Sequence, residues 1–313
     1  MQVCTKPIPD SFDEVLVDGD MVVFSIAAAV EYGKEITDVN FDDISNSIDS
    51  KLKYLAKRLG ARKLRVFFSH DVNFRYAIDP SYKMNRADSW RPHHLKAAKA
   101  HVMAHWEGEC EHGLEADDLI TMNMKPDGST IACTLDKDIP QNQGWYYRWE
   151  TQHHGEDFQW VDQAGVLYME QKQTTKGIKK EIKGNGSLFF LYQLLIGDPT
   201  DGVLGCGQKV EKMVKSGAKA GQMVMRRDGY GPVEAYQLIN GLTPGQAFQK
   251  VAAAYKIIFG EDEWETKMLQ QARLVHMVKE PLIDGKIAQL WYYKKSQRES
   301  AQFDLSAGIF VNG

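Results

Sequence analysis

Short clusters of acidic residues recur between residues 18 and 201, and they are the residues of this chain whose types and spacing could do chemistry. Most of them follow a run of apolar, β-branched residues that is typical of a buried strand, or stand where a helix-like segment begins. Because open α/β folds bind ligands at the carboxyl ends of parallel strands, we expect these carboxylates to meet at that edge of a sheet. The clusters are Asp18-Gly19-Asp20, His70-Asp71, Glu115-Ala116-Asp117-Asp118, Asp136-Lys137-Asp138 and Asp198-Pro199-Thr200-Asp201.

So many carboxylates cannot share one pocket unless positive charge compensates them. Divalent metal is the economical source of that charge, and Mg²⁺ takes oxygen ligands while keeping several waters. Two such ions about 4 Å apart can clamp the attacking and leaving oxygens of an in-line phosphoryl displacement. We therefore expect two Mg²⁺ ions, for which Mn²⁺ can substitute. A turn at Asp18–Asp20 and a helix start at Glu115–Asp118 would explain single clusters structurally, but not the whole set.

A basic segment, Tyr82-Lys83-Met84-Asn85-Arg86, follows Arg75 in the sequence. In most proteins it would be ordinary solvated surface. Beside an acidic metal pocket its cations could instead hold a scissile phosphate, and the sequence leaves both interpretations open.

A glycine turn, Gly205-Cys206-Gly207, lies between two helix-like segments and precedes Lys209. It resembles half of a helix-hairpin-helix, in which backbone N–H groups approach a DNA phosphate. Two glycines alone are weak evidence for a helix-hairpin-helix. Their position just after Asp201 strengthens that interpretation.

Composition places the chain among ordinary globular proteins. It has 313 residues, 43% hydrophobic residues and a net charge of −4, with local basic stretches that remain free to meet phosphates. No apolar run approaches the roughly 20 residues that a membrane span needs, and no secretory signal is visible, so we expect a cytoplasmic protein without membrane contact. Cys4, Cys110, Cys133 and Cys206 lack metal-finger spacing, which favours reduced thiols.

The order of predicted elements indicates an α/β fold. Strands at Val15–Val17 and Leu64–Phe68 flank two helices, which is typical of a βαβ unit and a parallel sheet, and a third strand is predicted at 130–135. Helical periodicity predicts a helix at Phe41–Arg58 between those two strands. The polar segment 172–186 is a candidate linker or mobile loop, and further helices are predicted at Ser187–Ile196, Pro232–Ile239, Pro244–Ile258 and Asp262–Val278.

The residues allow three other interpretations. His101 and His105 have the i, i+4 spacing of zinc ligands, but no third ligand is evident. Asp18-Gly19-Asp20 and Gly197–Asp201 fit the nucleophile and acid motifs of a haloacid-dehalogenase-type phosphatase, which leaves the other acids without purpose. A non-catalytic DNA-end-binding protein is the non-enzymatic alternative.

Taken in order, these motifs resemble the flap-endonuclease-like 5′ nuclease family, and within it the 5′→3′ exonucleases of short-tailed (T-odd) bacteriophages. The resemblance covers residues 14–276, and a shortened glycine loop at 202–207 is one departure from the family. The segments that carry it are Val17–Phe24, Asp71–Arg75, Asp79–Arg86, Leu114–Leu119, Leu135–Ile139, Gly197–Gly202, Lys215–Gly221 and Gln270–Arg273.

The resemblance implies a PIN-like parallel sheet flanked by helices, with a helical arch and a smaller helical region of helix-hairpin-helix type. It implies a catalytic domain at 14–186 and a DNA-binding domain at 187–313, and Lys83 and Arg86 as catalytic contacts to the scissile phosphate. The implied metal ligands are Asp18, Asp71, Glu115, Asp117, Asp118, Asp136, Asp138, Asp198 and Asp201. We add Arg75, Tyr82, Gly205, Gly207 and Lys209 as DNA-binding residues.

The expected function is therefore that of a Mg²⁺-dependent 5′→3′ exonuclease. It would hydrolyse phosphodiester bonds at 5′ ends of duplex DNA and RNA–DNA hybrids, with flap endonuclease activity as a further option. We expect it to act as a monomer in phage DNA replication, primer removal and recombination, in the host cytoplasm. The role of Asp20 stays open.

Overall fold

The computed structural model describes residues 6–152, 154–175, 177–218, 220–293 and 301–312, which form eight α-helices and twelve strands. They divide into two compact units. Unit 1 comprises the described residues up to Ala77, Asp88–Asp162 and those from Met277 onward, and unit 2 comprises Ile78–Ala87 and Gln163–His276.

Unit 1 is built on a five-stranded sheet in the order β2-β1-β3-β4-β5. The first four strands in this order run parallel and the last is antiparallel to its neighbour, so the carboxyl ends of the four parallel strands share one edge. The predicted α/β class with a parallel sheet is confirmed. The strands are β1 (Phe12–Asp18), β2 (Ala61–Phe67), β3 (Thr130–Cys133), β4 (Gly144–Arg148) and β5 (Asp157–Val161).

Helices cover both faces of this sheet because β1 is apolar on both sides. Val15 and Val17 are fully buried among side chains of the first, second and fourth helices, whereas Leu16 alternates to the opposite face. The fifth helix packs against β1 and β2. The helices of unit 1 are α1 (Gly19–Glu31), α2 (Phe41–Arg58), α4 (Leu95–His105) and α5 (Ala116–Asn123), and the short α3 (Arg75–Ile78) ends at the first residue of unit 2.

Helix α2 shows how the sequence pattern produces this packing. Its apolar residues recur every three or four positions, and Ile44, Ile48, Leu52 and Leu55 are all fully buried. Asn40 caps the helix by accepting a 3.0 Å hydrogen bond from the N–H of Asp42. The predicted bounds of this helix are those that the structure shows.

The family resemblance places Lys83 and Arg86 at the base of the implied helical arch, but the described backbone around them is not α-helical. Between α3 and α4 the described backbone consists of turns and a 3₁₀ turn at Met84–Arg86, in which Lys83 takes a left-handed conformation with φ 57°. Helix α4 packs on α1 and α2 rather than rising from the fold. This packing follows from its buried Ala98 and Val102.

Unit 2 combines helices with two antiparallel hairpins. The polar segment 172–186, predicted as a linker, is instead part of a regular hairpin in which Lys172 lies opposite Lys179. Its elements are β6 (Val166–Thr174), β7 (Gly177–Asn185), α6 (Gly186–Ile196), β8 (Gly207–Met213), β9 (Met223–Gly229), α7 (Pro232–Ile239) and α8 (Pro244–Val275). Helix α8 is interrupted at Gly260, whose φ is 77°.

The sequence predicted that the last part of the chain belongs to a helical region. The structure instead shows a small antiparallel sheet there. Its strands are β10 (Ile287–Gln289), β11 (Ala301–Asp304) and β12 (Ile309–Asn312), and they belong to unit 1. The predicted boundary at residue 186 falls at the start of α6, inside unit 2, so the compact units have bounds different from the predicted domains.

Cys110, Cys133 and Cys206 carry free thiols, and Cys4 lies outside the described residues. Within the described ranges, none of the helices combines the length and the apolar character that crossing a membrane would require.

The buried stripe of α2 makes a stability prediction. Leu52→Ala should lower the free energy of unfolding by about 2–5 kcal/mol, because Leu52 is fully buried and the truncation leaves a cavity. The neighbouring Lys53→Ala removes an exposed side chain and should change it by less than about 0.5 kcal/mol. Urea denaturation of both variants measures the difference, and equal midpoints would contradict the packing described.

Candidate active site

Asp18 lies at the end of β1 and is held from two sides. As the N-cap of α1 it accepts a 3.0 Å hydrogen bond from the N–H of Met21, and its other oxygen accepts one of 3.0 Å from the hydroxyl of Thr134. The same hydroxyl accepts a 3.0 Å hydrogen bond from the N–H of Asp136. Thr134 follows β3 directly, so it links the carboxyl ends of β1 and β3. Sequence reasoning missed Thr134, although a polar residue directly after an apolar strand was a usable signal.

Negative charge is crowded around Asp18. The side chain is buried, and burial together with the neighbouring carboxylates of Asp20 and Asp136 raises the pKa of Asp18 to about 7. A nearby cation would favour the charged carboxylate and reduce this cost. The donors are oxygen atoms, which suit hard divalent ions such as Mg²⁺ and Mn²⁺.

By donor type and charge, the acids of unit 1 thus fit a divalent metal. Within the described residues, however, the structure does not bring three His, Cys, Asp or Glu side chains close enough together to hold one ion. The complete ligand set implied by the sequence is therefore not assembled.

Asp20, whose role the sequence left open, ties three segments together. Its carboxylate accepts a 2.8 Å hydrogen bond from the N–H of Ser69, just after β2, and the Ser69 hydroxyl accepts one of 3.1 Å from the N–H of Ala116. The ammonium group of Lys99 donates to the carbonyl of Ser69 at 2.6 Å. Asp20 therefore positions the end of β2 and the start of α5. The sequence carried no signal for Ser69.

Asp118 forms a bidentate ion pair with Arg75, and both side chains are almost completely buried. The two guanidinium nitrogens donate to the two carboxylate oxygens at 2.7 and 2.8 Å. One oxygen also accepts from the N–H of Val278 at 2.9 Å, and the other from the N–H of Glu115 at 3.2 Å. A carboxylate has about four acceptor sites, so these contacts leave none for a metal.

Two predicted roles are corrected by this pair. Asp118 was expected to bind metal, but its oxygens are already occupied by protein donors. Arg75 was expected to contact DNA, but its side chain is only 1% exposed and also lies 3.2 Å from a carboxylate oxygen of Glu115. Both residues stabilise the fold around the start of α5.

The remaining acids of unit 1 differ in accessibility. Glu115 is buried beside Arg75, whereas Asp117 is half-buried and Asp71 is exposed after β2. Asp138 is half-buried, and its N–H donates to the carboxylate of Asp136 at 2.7 Å. Their role as metal ligands stays a prediction.

In unit 2, Asp201 gathers the basic segment predicted to contact phosphate. Its carboxylate accepts hydrogen bonds from Arg86 and, at 3.2 Å, from the hydroxyl of Tyr82, and the ammonium group of Lys83 lies 3.7 Å away. The N–H of Lys83 also donates to the Asp201 carbonyl at 2.8 Å. The structure thus brings Lys83 and Arg86 together with a predicted acid more than 100 positions further along the chain.

The side chains of Tyr82 and Asp198 form hydrogen bonds within the protein. Tyr82 was predicted to contact DNA, but it is only 3% exposed and its hydroxyl is turned to Asp201. Asp198 stabilises its own turn, because its carboxylate accepts a 2.8 Å hydrogen bond from the N–H of Thr200. DNA contact by Tyr82 and metal binding by Asp198 both stay predictions.

The glycine turn is not part of a helix-hairpin-helix. Gly207 begins strand β8 rather than a helix, and the N–H of Gly205 is buried and donates to the side chain of Gln271 at 2.8 Å. At Gly205, where φ is 62°, a Cβ would lie 2.3 Å from the nitrogen of Gly197. A Cβ on Gly207 would lie 2.8 Å from the carbonyl oxygen of Asp228. Close backbone packing, not phosphate binding, explains these glycines.

No protein-family model matches the chain, and no curated protein matches its sequence. Among solved structures, the chain is similar to a bacteriophage T5 protein co-crystallised with metal ions, with 14% identity and a TM-score of 0.43 over 84% of this chain and 100% of that one. It is also similar to a T5 flap endonuclease in a pseudo-enzyme–product complex with DNA and metal ions, with 15% identity and a TM-score of 0.44 over 84% and 99%. A mutant T5 5′-exonuclease is similar with 13% sequence identity and a TM-score of 0.41, over 85% of this chain and 100% of that one.

The buried ion pair predicts a large loss of stability on Asp118→Ala. The variant leaves the Arg75 guanidinium buried without its partner, which should cost about 3–5 kcal/mol of unfolding free energy. Asp117→Ala, on the same helix but half-buried, is the matched control and should cost much less. Urea denaturation decides, and equal stability of the two variants would refute the positioning role of Asp118.

The packed glycine turn makes a second prediction. Gly205→Ala should destabilise the protein, because the added methyl group would overlap the Gly197 backbone and the left-handed φ disfavours alanine. Gly217→Ala, with φ of 86° but open space around its Cβ position, is the control that carries only the conformational cost. Thermal unfolding should show the lower midpoint for Gly205→Ala, and the reverse order would contradict the close packing.

Proposed function

We propose that this protein is a divalent-metal-dependent 5′ nuclease. It would hydrolyse phosphodiester bonds at 5′ ends of duplex DNA and of RNA–DNA hybrids, and flap endonuclease activity is compatible with the same residues. We also propose the roles expected from the sequence. They are phage DNA replication, primer removal and recombination in a host cytoplasm, with the protein acting as a monomer.

The observation that carries the proposal is the crowding of carboxylates where parallel strands end. Asp18 ends β1 and Asp136 lies just after the adjacent strand β3. The Thr134 hydroxyl donates to the Asp18 carboxylate and accepts from the N–H of Asp136, and Asp20 adds charge beside them. Crowded carboxylates destabilise the folded state, and such unfavourable electrostatics are typical of functional sites. Divalent metal binding is the use that the oxygen donors support best.

Described contacts support the roles proposed for Asp18, Asp136 and Thr134. Two Mg²⁺ or Mn²⁺ ions, when bound, would supply charge neutralisation and a nucleophile near neutral pH. Asp18 and Asp136 would hold metal, with Thr134 fixing the orientation of the Asp18 carboxylate. The other proposed ligands are Asp71, Glu115, Asp117, Asp138, Asp198 and Asp201.

Lys83 and Arg86 are the proposed phosphate-binding residues. Both contact the Asp201 carboxylate, which fixes where their charges lie. Lys83 is held further by its left-handed backbone and by the hydrogen bond from its N–H to Asp201. Cations held in place in this way can stabilise charge that develops on a phosphate during hydrolysis without reorganising. The proposed domains remain the metal-binding catalytic domain at 14–186 and the DNA-binding domain at 187–313.

The proposal predicts the effect of Asp136→Ala. The Mg²⁺-dependent rate of nucleotide release from a 5′-labelled DNA duplex should fall by about a hundredfold to a thousandfold, because metal contributes several kcal/mol to the transition state. Asp136 is half-buried at the sheet edge, so the melting temperature should change little. The exposed Asp157→Ala in β5 is the matched control and should retain full activity.

The same assay separates the alternatives. Cleavage by the wild-type protein should require Mg²⁺ or Mn²⁺ and stop when EDTA is added. Undiminished cleavage by Asp136→Ala would refute the assignment of this acid. Turnover of p-nitrophenyl phosphate without nucleotide release would instead indicate a phosphatase, and duplex binding without metal-dependent cleavage would indicate a DNA-end-binding protein.

A further inference from the structure

The hairpin of β8 and β9, here called the basic ribbon (residues 207–229), differs in charge from the rest of the chain. Its described residues include five Lys or Arg and two Asp or Glu, a net charge of +3, whereas the whole protein carries −4. Positive charge concentrated on one element of an acidic protein indicates an anionic partner.

The ribbon is also exposed on both faces. Of the strand residues in β8 and β9, Gly207 alone is buried. A two-stranded hairpin without a packed face is marginally stable by itself, so burial of side chains does not explain this element. Its base is fixed instead by Arg227, whose guanidinium donates to the carbonyls of Leu195 and Leu204 at 2.6 Å each.

Cations lie on the two faces of the ribbon in alternation. Lys209 pairs with Arg227 on one face, and Lys212 and Arg226 lie on the other. Lys212 forms an exposed ion pair with Asp228 at 2.7 Å, which contributes little stability in water. Among the described residues, no salt bridge involves Lys209, Lys215 or Arg226.

The far end of the ribbon is apolar. Met213 pairs with Met223, and Met225 lies on the same face two residues further along the strand. These three side chains are 54–62% exposed. Flexible thioether side chains without a packing partner suit a contact surface that must adapt to its partner.

We propose that the basic ribbon enters the major groove of double-stranded DNA and grips the phosphates on its two walls. The major groove is about 12 Å wide and admits a two-stranded ribbon, and a β-sheet layer with its side chains is about 10 Å thick. Cations on both faces then each meet one phosphate backbone, while the methionine end reaches the base edges. The ribbon supplies the duplex contact that the glycine turn was expected to make.

This inference rests on the proposed function for its partner, but its test does not require cleavage. The triple variant Lys209→Ala, Lys215→Ala, Arg226→Ala removes three cations from the ribbon. The matched control, Lys34→Ala, Lys57→Ala, Lys63→Ala, removes three exposed cations from unit 1. Binding to a fluorescent, blunt-ended DNA duplex is measured by anisotropy in EDTA over a series of salt concentrations, with melting temperatures recorded for both variants.

For the ribbon variant, the slope of log K against log salt should become shallower by about 2.7, since each lost phosphate contact removes about 0.9 from it. The control should keep the wild-type slope. A second variant, with Met213, Met223 and Met225 changed to Gln, should bind more weakly at an unchanged slope, because no charge is removed. The narrow major groove of double-stranded RNA should make binding to it insensitive to both changes.

Equal slopes for the ribbon and control variants would overturn the proposal. An equal loss on double-stranded RNA would also overturn it, since the groove could not then be the contact. Preferential binding of the ribbon to vesicles containing phosphatidylserine would show a membrane partner instead. If the wild-type protein binds the duplex through the ribbon but never cleaves it, the proposed nuclease function fails while this inference stands.

Discussion

The buried ion pair between Arg75 and Asp118 is the interaction on which the rest of unit 1 depends. Removing two opposite charges from water is costly, and only excellent geometry with further hydrogen bonds compensates it. Here the bidentate contact is completed by the N–H groups of Val278 and Glu115. The pair therefore joins α3, the start of α5 and the returning C-terminal segment. The acids at the start of α5 take their positions from it.

Next to this satisfied pair lies a second group of carboxylates whose electrostatics are unfavourable. Asp18 is buried near Asp20 and Asp136, and hydrogen bonds from the Met21 N–H and the Thr134 hydroxyl offset part of the repulsion. The two groups of acids thus separate by environment rather than by residue type. Where guanidinium and backbone donors fill every acceptor site the carboxylate is structural, and where they do not it remains available for a cation.

Unit 2 shows that a motif can be present for a different reason than its spacing indicates. The glycines at 205 and 207 permit close backbone approach, after which the chain continues as a strand. Lys83 and Arg86 in turn are held by Asp201, a residue far away in sequence. Such long-range contacts determine where the charged groups lie. They cannot be predicted from a short motif, because the partner residue is elsewhere in the chain.

The sequence by itself determined the parallel sheet, the bounds of α2 and α7, and the acids at the strand ends, because hydrophobic periodicity and strand-end position are local properties. The tertiary structure alone decided that Arg75 pairs with the Asp118 carboxylate. It alone decided that Thr134 links Asp18 to Asp136, and that Asp20 positions Ser69. It also decided that 207–229 is a ribbon and that the chain ends in strands. Hydrogen-bond partners distant in sequence and the pairing of short polar strands depend on the folded chain, since neither leaves a periodic signal.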